Sequence, residues 1–98
     1  MQNVVVVKVG ASKRVPQSRI WIEGWRLTGA GFSHGARYNV EWTVTGATLI
    51  PDAAGARKVA GTSGRPIIDI TGASVRSLQS DSATVTFSDK KITIEGIK

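Results

Sequence analysis

The stretch Arg19-Ile-Trp-Ile-Glu-Gly-Trp-Arg-Leu27 alternates apolar and polar residues up to Gly24 and then offers Leu27 to a short turn of helix; its reading decides the fold. Ile20 and Ile22 share one face of a strand, and Arg19, Trp21 and Glu23 share the other. Downstream, Ala30-Gly-Phe-Ser-His-Gly35 supplies a turn, and Tyr38-Asn-Val40 opens a second strand that reaches Trp42. The pattern then returns. Ile68-Asp-Ile70-Thr-Gly72-Ala-Ser-Val75 matches the first stretch in its apolar and glycine positions, and Val85-Thr-Phe87 answers Val40-Glu-Trp42. The chain reads as one unit written twice, repeat one over 4–51 and repeat two over 56–97, within a single domain of residues 1–98.

Working outward, Val4 to Val9 is a strand, because β-branched valines are stiff and suit a pleated, buried position. Ala11 to Ser18, with two cations and Pro16, is a polar loop. Gly24 to Phe32 is a short helix that plugs the sheet with Leu27, Ala30 and Phe32, since Gly29 and Gly31 leave it about one turn long. Arg37 to Val44 is a strand, which Thr45-Gly46 turns back into Thr48 to Ile50. The small, polar Asp52 to Gly55 is the boundary between halves. In the second half, Arg57 to Ala60 is the counterpart of the Lys8 strand, Gly61 to Arg65 a loop and Ile67 to Ile70 the alternating strand. Ala73 to Leu78 forms a second short helix, and Ser82 to Phe87 and Lys91 to Ile94 close as a hairpin through Asp89-Lys90. The expected architecture is mainly β with one or two very short helices, closed or nearly closed about a pseudo-two-fold axis.

At 98 residues the chain supports one modest core, and 41% hydrophobic with 20% charged residues excludes disorder and a membrane-like composition. The longest apolar run, Val4 to Val7, is too short to span a bilayer, and the N-terminus lacks a signal-peptide pattern, so a cytoplasmic protein is expected. Without cysteine there are no disulfides and no thiolate metal sites. The net charge of +6 is unevenly spread: Lys8, Lys13, Arg14 and Arg19 lie in one span without an acid, and Arg57, Lys58 and Arg65 in another. A lone basic loop is most simply a solvated one. Two at equivalent positions of a repeat are a footprint of a polyanionic partner.

These residues resemble a known family. Lys8-Val-Gly10-x-Ser12, Arg19-Ile-x-Ile22, a short helix ending in Ala30-Gly-Phe32, the Gly35 turn and the Val40 strand with its hairpin are similar to the AbrB-like (SpoVT/AbrB) swapped-hairpin domain of transition-state regulators and antitoxins. In that family two short chains interleave their hairpins into one barrel and bind DNA through basic residues near the start of each unit. The tandem form resembles the N-terminal region of some phage-type DNA cytosine methyltransferases, although no methyltransferase catalytic motif is present. The resemblance implies an AbrB-like swapped-hairpin β-barrel built from two repeats in one chain, monomeric by internal pseudo-dimerisation. Its partner would be double-stranded DNA, contacted by Lys8, Lys13, Arg14, Arg19, Arg57, Lys58 and Arg65. The family's usual proline after the alternating strand is Glu23 here, and Thr71 in the second half.

Other chemistry has little to stand on. The single histidine, His34, sits in a glycine-flanked turn, and scattered carboxylates give no ligand spacing, so neither catalysis nor a metal or other cofactor is expected. Gly61-Thr-Ser-Gly-Arg65 lacks the lysine and hydroxyl ending of a phosphate loop. Core packing is the simplest role for Trp21, Trp25 and Trp42. If Ile20 and Ile22 face the core, however, Trp21 faces outward, and with Trp25 and Arg26 it makes an anchor of the kind found at protein interfaces. The second functional reading is therefore a small protein-interaction module, antitoxin-like or phage-derived, that binds an acidic protein.

Overall fold

Alternating β-branched residues dominate the secondary structure, as their stiffness at the first side-chain torsion requires. The computed structural model describes residues 3–11, 18–71, 75 and 82–97. In chain order the elements are β1 (Asn3–Lys8), β2 (Gly10–Ala11), β3 (Ser18–Glu23), α1 (Trp25–Gly29), β4 (Arg37–Trp42), β5 (Gly46–Pro51), β6 (Arg57–Lys58), β7 (Ala60–Thr62), β8 (Arg65–Thr71), β9 (Ser82–Ser88) and β10 (Lys91–Ile97). Among the described residues the fold is mainly β, with one short helix, α1, and two antiparallel sheets. One sheet runs β1-β9-β10-β5-β4-β6 and the other β2-β3-β8-β7. Two of the chain's four crossings between them are made at single buried valines, Val9 between β1 and β2 and Val59 between β6 and β7.

The two alternating stretches lie side by side. In the β3–β8 pair, Ile20 faces Ile70, Trp21 faces Asp69 and Ile22 faces Ile68. All four isoleucines are buried, so one face of the four-stranded sheet is apolar and Arg19, Trp21, Glu23, Arg65 and Asp69 stand on the other. In the larger sheet β5 pairs with β10, where Leu49 faces Ile92, Thr48 faces Thr93 and Ala47 faces Ile94. Both sheets contribute to one core, which also takes Leu27, Ala30, Phe32, Tyr38 and Val75. The Phe32 and Tyr38 rings meet edge to face, with centroids 5.7 Å apart. Burying each large aliphatic side chain of this core contributes about 1.5–3 kcal/mol.

The ends of the elements explain themselves locally. The two-residue turn Asp89-Lys90 joins β9 to β10, with Lys90 at φ 56, the left-handed conformation that tight hairpins require. Its N–H donates to Ala30 O at 3.0 Å, which fastens this hairpin to the end of α1. No described helix is long and apolar enough to cross a membrane.

Some local expectations are corrected. Gly61 to Arg65 is not a loop: Ala60 pairs with Ile67, Gly61 with Pro66 and Thr62 with Arg65 around a Ser63-Gly64 turn. Every β7 residue is exposed, so the strand carries no apolar alternation. The turn after β4 lies at Thr43 to Thr45, not Thr45-Gly46, because Thr43 N–H donates to Gly46 O and the Thr43 hydroxyl accepts from Gly46 N–H. Lys13 and Arg14 lie outside the described residues, as does all of the second short helix except Val75, which is buried.

Gly46 is required by a close approach: a Cβ there would lie 1.8 Å from Ile94 O in the neighbouring strand. Gly46→Ala is expected to lower stability by about 3 kcal/mol. Gly29, in α1, has open space around it, and Gly29→Ala should raise stability by roughly 0.5–1 kcal/mol. Urea denaturation of the two variants checks both signs.

Candidate nucleic-acid interface

Strand pairing redistributes the charges that the linear sequence separates. Arg19, in an acid-free span, meets Asp69 of the neighbouring strand, its Nε 3.1 Å from Oδ1, and its guanidinium lies 5.5 Å from the Trp21 ring centre. Arg65, in the other acid-free span, donates through Nη2 and Nε to Glu23 Oε2 at 2.8 and 2.9 Å. The outer face of the four-stranded sheet is thus a lattice of two ion pairs around Trp21. Both pairs are largely solvent-exposed and contribute little stability, of order 0–1 kcal/mol each.

Arg57 and Lys58 are neighbours in sequence and point to opposite faces of β6. Arg57 stands opposite Tyr38, a buried residue, and is itself half-buried; Lys58 stands opposite Arg37, and both of these are exposed. Burial raises the Tyr38 hydroxyl above its ordinary pKa of 10.0, and the nearby Arg57 charge partly offsets that rise. Lys8 occupies the register position opposite Ser82. The seven cations expected to contact DNA therefore divide. Arg19 and Arg65 share one sheet face in ion pairs, Lys8 and Lys58 lie on the two edge strands of the other sheet, Arg57 turns toward Tyr38, and Lys13 and Arg14 are outside the described residues.

Arg37 is a cation that the sequence reading passes over, and it has the most developed setting. Its Nη1 donates to Gly55 O at 3.0 Å. That carbonyl is held in place by a small framework: Gly55 N–H donates to Asp52 O, Asp52 N–H to Arg37 O, Ala54 N–H to Asp52 Oδ1, and Asn39 Nδ2 to Asp52 Oδ2. Gly55 lies against the Tyr38 backbone so closely that a Cβ would come within 2.5 Å of Tyr38 O. Arg37, Lys58, Asp52, Pro51 and Gly35 line an open depression of about 560 Å³. The signal that could have found Arg37 is the pairing of β4 with β6, which no local pattern encodes.

Trp25 and Trp21 are 66% and 40% exposed, whereas Trp42 packs against the core. The core reading of the tryptophans therefore holds for Trp42 alone. The Arg26 guanidinium stacks on Trp25 at 4.6 Å from its centre, and Arg26 Nε is buried without a hydrogen-bond partner. His34 is an exposed turn residue. Compared with known proteins, the chain matches no family model, no curated protein and no solved structure.

The Tyr38 hydroxyl has a consequence for stability. Because its folded pKa is raised, its contribution is complete below about pH 10 and is lost as pH rises through the folded pKa. Spectrophotometric titration at 295 nm should place its ionisation above ~10, the ordinary tyrosine value, and Tyr38→Phe should flatten the alkaline fall in stability.

Proposed function

We propose that this chain is a non-enzymatic DNA-binding module, a transcriptional regulator or DNA-targeting domain that holds duplex DNA through phosphate contacts from its basic segments. The observation that carries the reading is a surplus of positive charge that folding leaves uncompensated. The net charge is +6, and among the described residues Arg37, Arg57 and Lys58 have no carboxylate within 4.0 Å. Such a concentration costs self-repulsion and is offset by a polyanion, whose condensed counterions are released on binding.

The architecture proposed with it is the AbrB-like swapped-hairpin barrel, made here of two repeats in one chain. Strand order and register support it. Each sheet order reads the same from either end once β1 is equated with β6, β2 with β7, β3 with β8, β4 with β9 and β5 with β10. The β3–β8 pairing is centred on Trp21 and Asp69, and β5–β10 on Thr48 and Thr93, as local two-fold axes between matched strands require. Buried residues match as well: Val9 with Val59, Ile20 with Ile68, Ile22 with Ile70 and Leu27 with Val75. Such a fused pair needs no second chain to complete its sheets.

A second reading, a protein-interaction module, is favoured by the exposed Trp25 with Arg26 stacked on it, the residue types enriched at binding hot spots. Trp25→Ala would abolish a complex of that kind and leave DNA binding intact.

Fluorescence anisotropy with a labelled random duplex, repeated at several salt concentrations, tests the DNA reading. Binding at low salt is expected, with a log–log slope corresponding to roughly four to seven phosphates at about 0.9 per contact. No binding at low salt would overturn it. Sedimentation of the free protein is expected to give a monomer, and a stable dimer would contradict the fused-repeat proposal.

A further inference from the structure

Two like charges set directly opposite on paired strands repel, with Cβ atoms roughly 5 Å apart, and such a pair persists at a cost unless something neutralises it. Arg37 and Lys58 are such a pair, directly opposed where β4 meets β6, and both are exposed. Among the described residues neither has a carboxylate within 4.0 Å. Asp52 lines the same depression, but its two carboxylate oxygens already accept from Asn39 Nδ2 and Ala54 N–H, both at 2.9 Å. Arg37 is also pre-positioned, because its Nη1 bond to Gly55 O anchors one side of the guanidinium and leaves its other N–H donors for a ligand. The depression of about 560 Å³ that the two cations line has room for a tetrahedral anion.

From this geometry we infer that the Arg37–Lys58 depression is a clamp for one backbone phosphate of the bound nucleic acid. The inference rests on the DNA-binding reading above and adds Arg37 to it as a contact residue. It also gives the complex a direction. At the other edge of the six-stranded sheet, the position opposite Lys8 is Ser82 rather than an arginine. In register the edge of β4 and β6 sets two cations opposite one another, where the other edge sets a lysine opposite a serine, so the two edges are not equivalent partners for a duplex.

The test compares the full-length chain with Arg37→Gln and Lys58→Gln in anisotropy titrations against a labelled random duplex over a range of salt. Lys58→Gln leaves the Arg37 bond to Gly55 in place, so a folding defect in the arginine variant does not decide the result. Each variant is expected to bind roughly five- to tenfold more weakly near 0.1 M salt and to lower the salt slope by about 0.9, the loss of a single phosphate contact. Wild-type affinity and slope in both variants would overturn the clamp while leaving the DNA reading intact. No binding by the unmutated chain overturns both. A parallel titration of the ¹⁵N-labelled protein separates the sources of phosphate. The duplex should shift the Arg37 side-chain Nε–Hε signal at concentrations where inorganic phosphate, at matched ionic strength, does not; saturation by inorganic phosphate with no response to the duplex would overturn the assignment to a nucleic-acid backbone.

Discussion

The structure depends on strand pairing between the two halves of the chain. Buried isoleucines of one half lie against apolar residues of the other: Ile20 and Ile22 beside Ile70 and Ile68 across β3–β8, and Ile92 and Ile94 beside Leu49 and Ala47 across β5–β10. These contacts join residues distant in sequence, so the entropy of closing long loops is spent before any of this apolar area is buried. The return is a single core to which both sheets contribute. Val9 and Val59, where the chain passes between sheets, seal its corners.

The same pairing decides which charges remain available. Arg19 and Arg65 are drawn into ion pairs because Asp69 and Glu23 sit across the strand boundary on the same outward face. Lys58 is carried to Arg37, and Arg57 to Tyr38, because β6 lies antiparallel to β4 and alternates its side chains between faces. Charge on this molecule is therefore a property of register as much as of composition. Three of the cations without a carboxylate partner, Arg37, Arg57 and Lys58, lie where β4 meets β6, beside a backbone framework centred on Asp52 and Gly55 that fixes Arg37.

The alternation of Arg19 to Glu23 and of Ile67 to Ile70 was legible as strand, because burial on one side of a sheet imposes a period of two, and the structure turns the Ile20 and Ile22 face inward. The short helix bearing Leu27 and the Asp89-Lys90 hairpin were legible for equally local reasons, a helical spacing and a two-residue turn. β7 was not, since its exposed Ala60-Gly-Thr62 is held by backbone pairing alone and carries no apolar signal. The ion pairs and the Arg37 setting were hidden for a further reason. Glu23 and Arg65, Arg19 and Asp69, Arg37 and Lys58 become neighbours only through pairings between distant strands. Acid-free spans in the sequence therefore marked the surplus of charge and not the side chains left to use it.

The central claim is that distant strands, β3 with β8 and β5 with β10, join the two halves in register and so create both the core and the charge distribution. Cross-strand nuclear Overhauser contacts in the full-length protein measure this directly. The account predicts backbone contacts linking the Trp21 region to Asp69 and the Thr48 region to Thr93, together with protection of these strands from hydrogen exchange. Absence of both sets, with contacts confined within residues 4–51 and within 56–97, would contradict it.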